Sequence, residues 1–408
     1  MFVCPTRLKA STRFSSRSVM WWITGSNNLR RKRMGKMYLT ARQFAIMTFA
    51  FFVGTSILIA PSGLVSDAKQ NAWMSALLGG AFDLALAAMY VLLMKRTRSG
   101  SFLQMNEALL GKWGGRVMYA LFLMFSFLLT ALLVGDLGSF LTAEIMQETP
   151  VEATQIFFLL SVTFAARLGI QTLARTSELL FPCMLLFLIV LVVAVSPQID
   201  VRHLSPLMEG GVRPVLKGSY NYFGLQELIV MMMLYPMVRN KAKAGPALYA
   251  GVVLGSGVMV LVCLLSITTL GVSLTVNNVY PTYAFAKMIN IGSFLQRIEG
   301  VLIAIWVFSI FVKTSICFIV TLIGFQELFQ LKNDSSFIRS FGVLVFVLAL
   351  ISYTNIVFVR DFIGRIWAPF SILFLIVLPL ILLAASLLRR NTLEEPGTGR
   401  GMPEPDRA

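Results

Sequence analysis

The chain has 408 residues, of which 57% are hydrophobic and only 13% charged, far below the ~25% charged residues of an ordinary soluble domain. A net charge of +16 would suit a nucleic-acid partner, but the basic excess gathers at the N-terminus and in short breaks between apolar runs, which is the pattern of membrane topology. That composition calls for no nucleic-acid module, and with neither a GxxxxGK loop nor a soluble block of domain size the chain argues against an ATP-driven pump and against a soluble enzyme.

Residues 1–36 form a basic arm without an acidic residue, ending in Arg30, Arg31, Lys32 and Arg33. Three readings compete: a transit-peptide-like arm, a membrane-surface arm, or an upstream stretch translated in error with the real start at Met34 or Met37. The last is favoured. The Met20-Trp21-Trp22-Ile23 patch is too short for a span.

Residues 37–388 then alternate apolar runs with polar breaks and predict an all-α integral membrane domain of about ten transmembrane helices. The expected spans are Ala41 to Val65, Ala72 to Met94, Val117 to Leu141, Gln155 to Leu173, Leu179 to Val195, Lys217 to Val238, Ala247 to Val272, Ile298 to Phe325, Phe337 to Val357 and Ile366 to Leu388. Residues 389–408 are read as a short cytoplasmic tail. Lys95, Arg96, Arg98, Lys112, Arg116, Arg167, Arg175, Arg239, Lys241, Lys243, Lys332, Arg339, Arg389 and Arg390 fall on the side of the N-terminal run, which makes that side cytoplasmic and puts both termini there. The opposite loops carry Asp67, Glu144, Glu148, Glu152, Asp200, Glu209 and Asp361.

Two halves of about five spans, starting from opposite sides, are what an inverted-topology repeat requires, with the first helix of each half interrupted near the midplane. In the first span, FFVGTSILIAP places Gly54 beside Thr55 and Ser56, roughly 20 Å along a helix rising about 1.5 Å per residue. Gly54 reads either as a small-residue packing notch or as a point where the helix unwinds and offers N–H groups to an anionic ligand. The sixth span carries Gly224 at a similar depth, with Tyr220, Asn221, Tyr222, Phe223, Gln226 and Glu227 around it. Matched polar, Gly-interrupted segments in the two halves point to a binding site between them, and on that ground interruption of both helices 1 and 6 is expected.

Asp83, Glu227 and Lys313 sit near the centres of the second, sixth and eighth spans. An intramembrane charge costs at least ~2.5 kcal/mol unless paired or wetted, so each is a functional candidate, against the plainer alternative of a structural ion pair. Lys313 can neutralise only one carboxylate. The other is then protonated, solvated or bound to a ligand. Asp136 reads as facing the outer water, and Trp306, two turns from Lys313 on roughly the same face, as a packing residue or a pocket cap. Met231, Met232 and Met233 read as adaptable packing. Cys183, Cys263, Cys317 and Cys4 have no metal or redox spacing; with His203 isolated in an outer loop, neither a metal nor a cofactor is expected.

Three motifs, GTSILIAP with Gly54, Leu58 and Pro61, FGLQELIVMMMLYP with Gly224, Glu227 and Pro236, and RIEGVLIAIWVFSIFVK with Arg297, Glu299, Trp306, Phe311 and Lys313, make the chain from Met37 to Leu388 resemble the B subunits of bacterial spore germinant receptors. Those are the spore permease family within the amino acid-polyamine-organocation superfamily. The resemblance implies an amino-acid-permease-like bundle of two inverted five-helix repeats. It also implies a small-molecule nutrient, an amino acid, sensed in the inner spore membrane beside an A subunit and a C-subunit lipoprotein, with ion-coupled amino acid transport as the alternative. Ligand-binding residues are expected at Gly54, Thr55, Ser56, Tyr222, Phe223, Gly224, Glu227, Trp306 and Lys313. The ligand's carboxylate would meet N–H groups around Gly54, and its ammonium Glu227 or carbonyls of the sixth span. By the same resemblance Lys313 takes the place of a bound cation and ties the eighth helix to carbonyls around Gly54 or to Glu227.

A variant beginning at Met37 should insert into membranes and accumulate like the full chain; loss of membrane-extracted protein on immunoblots would count against dispensability of the arm.

Overall fold

The computed structural model describes residues 38–97, 100–288, 299–331, 335–352 and 362–388. The basic arm, the tail 389–408, and Arg98, Arg297, Lys332, Asp361, Arg389 and Arg390 lie outside the described residues. All contacts below belong to the compact unit Leu39–Ala408.

Seven helical stretches are long and apolar enough to cross a membrane, and one of them, Ala41–Arg96, is divided near Lys69, whose φ is 51°. It supplies two crossings, α1 (Ala41–Ala68) and α2 (Ala72–Arg96). There follow α3 (Phe102–Phe140), α4 (Val151–Leu168) and α5 (Ile170–Val195). The sixth crossing is discontinuous, with α6 (Val212–Phe223) and α7 (Ile229–Leu234). After it come α8 (Lys241–Asn277), a short helix α9 (Pro281–Met288), α10 (Glu299–Leu328), α11 (Ser335–Ser352) and α12 (Arg365–Leu388). The described residues thus contain ten crossings. Individual bounds move from those expected: α4 and α5 are separated only by Gly169, so Arg175 lies inside α5, and the sixth crossing starts at Val212 rather than Lys217.

Thr40 starts α1 with a capping box, accepting from the Gln43 N–H while the Gln43 side chain accepts from the Thr40 N–H, which satisfies two otherwise orphaned donors. Nearly every residue from Phe44 to Val65 is buried, so α1 runs through the middle of the bundle. Its most extensive neighbour is α8, and Gly251 and Gly255 make the close approach. A Cβ at Gly251 would lie 2.4 Å from Thr48 Cβ, and one at Gly255 2.4 Å from Phe52 Cβ. Four-residue spacing of small residues lets helix backbones meet where lipid supplies no hydrophobic drive. Helices α4 and α5 instead present exposed apolar side chains such as Phe157 and Leu179, the outward surface expected of lipid-facing helices.

The two halves differ at their first helices. The sixth crossing is interrupted over Gly224–Leu228, where Glu227 has φ 39°. The first is not: α1 stays helical through Gly54, Thr55 and Ser56, so the expected break of helix 1, and the free N–H groups it would expose, are corrected. Two local causes hold it. The aliphatic stem of Lys313 fills the notch, since a Cβ on Gly54 would lie 2.7 Å from Lys313 Cδ. Pro61, which has no N–H and so frees the carbonyl four residues earlier, leaves Ile57 O to accept from Thr282 Oγ1 of α9 at 2.6 Å. At one membrane face the chain before α1 is tied to the end of the sixth crossing by a parallel bridge, with Leu39 N donating to Met237 O at 2.8 Å and Arg239 N to Leu39 O at 2.9 Å.

Gly255→Ala should lower the melting temperature of the detergent-purified protein, because overpacking a close contact costs about 1–3 kcal/mol. Gly257→Ala, which meets nothing within 4 Å, should leave it unchanged or raise it; equal melting of both variants would refute the α1–α8 packing described.

Candidate functional site

Lys313 is fully buried in α10, and three groups surround its ammonium. Nζ donates to Glu227 Oε2 at 2.8 Å and to Thr55 Oγ1 at 2.9 Å, and sits 4.9 Å from the centroid of the Phe51 ring. Glu227, also buried, uses its second oxygen to accept from Trp367 Nε1 of α12 at 3.1 Å. Beside it Gln226 Nε2 donates to Ser56 Oγ at 3.3 Å. The pair therefore holds together α1, the interruption of the sixth crossing, α10 and α12. Charge-assisted bonds of this kind are stronger than neutral ones, and in low dielectric both charges need all of these partners. Of the two carboxylates available to Lys313, Glu227 takes it; both oxygens of Asp83 are buried and have no hydrogen-bond partner among the described residues.

A cavity of about 330 Å³ opens beside this network. Thr55, Ser56 and Ile59 of α1 line one side, Leu128, Leu129, Leu132, Leu133 and Asp136 of α3 another, and Leu225, Glu227, Ile351, Ser352, Phe362 and Trp367 complete the described lining. It is an apolar chamber with a few polar groups near one wall, the usual composition of a small-molecule site.

Of the residues expected to bind ligand, Thr55, Ser56 and Glu227 border this cavity, and Lys313 touches it through them. Gly54 lies beneath the Lys313 stem, and Gly224 packs on Ala368 and Ser371. Tyr222 turns toward α2, where a Cβ on Gly79 would meet its ring at 2.4 Å. Phe223 meets Phe82 edge to face at 6.5 Å. Trp306 is buried in an aromatic cluster with Phe140, 4.6 Å away, and Tyr280 and Tyr283 pack on the same Phe140. Asp136, expected to face outer water, is buried and lines the cavity. Sequence reasoning also missed Trp367 and the leucine wall of α3. Leu128, Leu129, Leu132 and Leu133 do recur at helical spacing, but on an apolar span such a stripe looks like any packing face.

Among the described residues no group of three or more His, Cys, Asp or Glu side chains could hold a metal ion. In the loop between α5 and α6, Arg202 grips Asp200 with side-chain and backbone hydrogen bonds and pulls its carboxyl down to about 2. His203 Nδ1 lies 3.0 Å from Thr268 O, so both groups fasten a loop and belong to no site.

A family profile described as spore germination protein matches residues 38–359. Among curated proteins, spore germination protein KB of Bacillus subtilis (strain 168) is 25% identical over 327 residues, 79% of this chain and 87% of the relative. Spore germination protein XB of Bacillus anthracis is 22% identical over 338 residues, 82% and 93% of the two chains. Among solved structures, MhsT in complex with L-phenylalanine superposes with a TM-score of 0.62 at 14% identity, over 86% of this chain and 99% of that one. Mhp1, a nucleobase-cation-symport-1 family transporter, gives 0.61 at 12% identity, over 83% and 78%. These two likenesses establish an amino-acid-permease-like transporter fold. The germination proteins align along most of their lengths and the profile spans most of the crossings, so the chain belongs to the spore permease family of spore germination proteins.

Proposed function

We propose that this chain is the B subunit of a nutrient germinant receptor, and that it binds an amino acid with an apolar side chain in the cavity between α1, α3 and the interrupted sixth crossing. The observation that carries this reading is the cavity's position against the Lys313–Glu227 pair. Its volume suits one small molecule, its leucine wall suits an aliphatic or aromatic side chain, and Thr55, Ser56 and Glu227 suit the polar end. A ligand that competes there for Thr55 or Glu227 favours whichever arrangement of α1, α10 and α12 leaves those groups available, and differential affinity is all a sensor needs. The receptor works in the inner spore membrane with both termini cytoplasmic, beside an A subunit and a C-subunit lipoprotein. Ion-coupled amino acid transport is the second reading, favoured by the fold shared with MhsT and Mhp1.

The purified chain should show a raised melting temperature with at least one standard amino acid, and Leu129→Trp, which fills the cavity, should remove that shift. No shift with any amino acid, or an unchanged shift in Leu129→Trp, would sink the assignment. Radiolabelled uptake of the same amino acid into proteoliposomes by this chain alone would favour transport over sensing.

Lys313→Met should abolish the germination response and lower melting stability by about 3–5 kcal/mol, because it leaves Glu227 as an uncompensated buried charge. The double variant Lys313→Met/Glu227→Gln should recover stability but not response. Lys313→Arg should restore response only in part, since a planar guanidinium does not match a site shaped for a compact ammonium. Since an ammonium already occupies the site, the wild-type response should need no sodium; a sodium requirement, or normal germination of Lys313→Met at matched abundance, would contradict this role.

A further inference from the structure

Asp83 is left over from the network just described, and its surroundings have a definite chemistry. It lies midway along α2 and is fully buried, with no hydrogen-bond partner for either oxygen among the described residues. A helical side chain leans over the turn that precedes it, and for Asp83 that turn contains Gly79 and Gly80. A Cβ on Gly79 would lie 2.4 Å from the Tyr222 ring, and one on Gly80 2.8 Å from Ser256 Cβ and 2.9 Å from Ser256 Oγ. The two glycines thus admit a tyrosine from α6 and a serine from α8 to the turn over which Asp83 leans. The Tyr222 and Ser256 hydroxyls are buried and, among the described residues, make no close hydrogen bond. One acid and two hydroxyls from three helices therefore lie around one turn, the two hydroxyls close enough to act on each other and neither bonded to the acid.

Titratable and charged groups around this cluster come from each element packed on α2. On α2 itself there is Tyr90, whose hydroxyl is spent on Leu375 O at 2.6 Å, with Lys95 and Arg96 in the last turn. From α6 there is Tyr222, with Tyr220, Lys217 and Arg213 farther toward its start. From α8 there is the buried Cys263, with Tyr249, Lys241 and Lys243 toward one end. The sixth-crossing interruption adds Glu227, a like charge already engaged by Lys313. The stretches Phe44–Val65 of α1, Ile229–Leu234 of α7 and Leu378–Leu388 of α12 contain no ionisable side chain. No Lys or Arg forms an ion pair with Asp83 among the described residues. A buried anion without a cation or donor is so costly that such a group takes up a proton instead.

We infer that Asp83 is a proton-binding site, and that release of its proton to water recruits the Tyr222 and Ser256 hydroxyls as donors to the new carboxylate, so that proton occupancy sets the position of α6. Tyr222 stands two residues before Gly224, where the sixth crossing is interrupted, so a pull on its hydroxyl acts on the segment that ends in Glu227. A metal cation is a poorer fit than a proton. Hard cations gather six or more oxygens, whereas this cluster offers one carboxyl and two hydroxyls.

Infrared spectroscopy of the full chain in lipid nanodiscs, without any nutrient, tests the inference independently of the nutrient cavity. Wild-type protein at neutral pH should show the carbonyl stretch of a protonated carboxylic acid that Asp83→Asn lacks, and that band should vanish reversibly as the pH is raised. Tyr222→Phe and Ser256→Ala, each removing one donor to the carboxylate, should keep the band to higher pH than wild type. If Asp83→Asn fails to accumulate, Asp83→Glu should displace the band in frequency. Identical wild-type and Asp83→Asn spectra in the acid carbonyl region, or a band unmoved by Asp83→Glu, would overturn the proton site. A midpoint unaltered in Tyr222→Phe would overturn the coupling to α6.

Discussion

The ammonium of Lys313, buried where lipid and protein exclude water, imposes the condition that the rest of the bundle meets. It must be surrounded by acceptors, and these are drawn from separate elements: a carboxylate from an interrupted helix and a hydroxyl from a continuous one. Glu227 reaches the lysine from a left-handed backbone conformation, which ordinary residues adopt only when surrounding structure compels it. Trp367 then holds the same carboxylate from α12 while stacking on Phe125 of α3 at 5.9 Å. One charge pair thus fixes the relative placement of four crossings and, through the tryptophan, touches a fifth.

Much of this was legible in the chain itself. Long apolar runs gave the crossings, because nothing but a helix satisfies its own backbone in lipid. Glu227 and Lys313 stood out because charges in such runs are expensive, and Gly224 marked the interruption because polar residues crowd around it. Gly54 was harder. A glycine followed by two hydroxyl residues is the same local pattern whether a helix opens there or another side chain packs there, and what decides is the Lys313 stem, 259 positions away in the chain. Tyr222 and Trp306 misled for a related reason, since sequence proximity to the interruption and helical phase say nothing about which neighbour a ring meets. Trp367 and Asp136 became visible only once α12 and α3 were placed beside Glu227.

The two repeats are alike in plan and unlike at their centres. Glycines with nearly the same conformation, Gly111 at φ 79° and ψ 170° and Gly271 at φ 72° and ψ 173°, bend the chain near the connections between the second and third and between the seventh and eighth crossings, which an inverted repeat makes equivalent. The first helices of the halves diverge. α1 remains intact and supplies hydroxyls, while the sixth crossing opens and supplies an acid. A symmetric pair of interruptions would leave twice as many unpaired backbone groups in lipid; with α1 whole, its side chains take over the role of acceptors.

The bridge at Leu39 has a bearing on motion. Two backbone hydrogen bonds join the strand-like approach to α1 with the exit from α7, so at that membrane face the first and sixth crossings are stitched like pages at a spine. At the opposite end α1 meets α6 through side-chain bonds, with Lys217 paired to Asp67 at 2.8 Å and Asn221 donating to Asp67 at 2.6 Å. Side-chain contacts of that kind re-form after a small sliding movement, whereas a backbone bridge has to be given up whole. Sliding the first crossing against the sixth would therefore disturb fewer backbone bonds at the Asp67 end than at the Leu39 end.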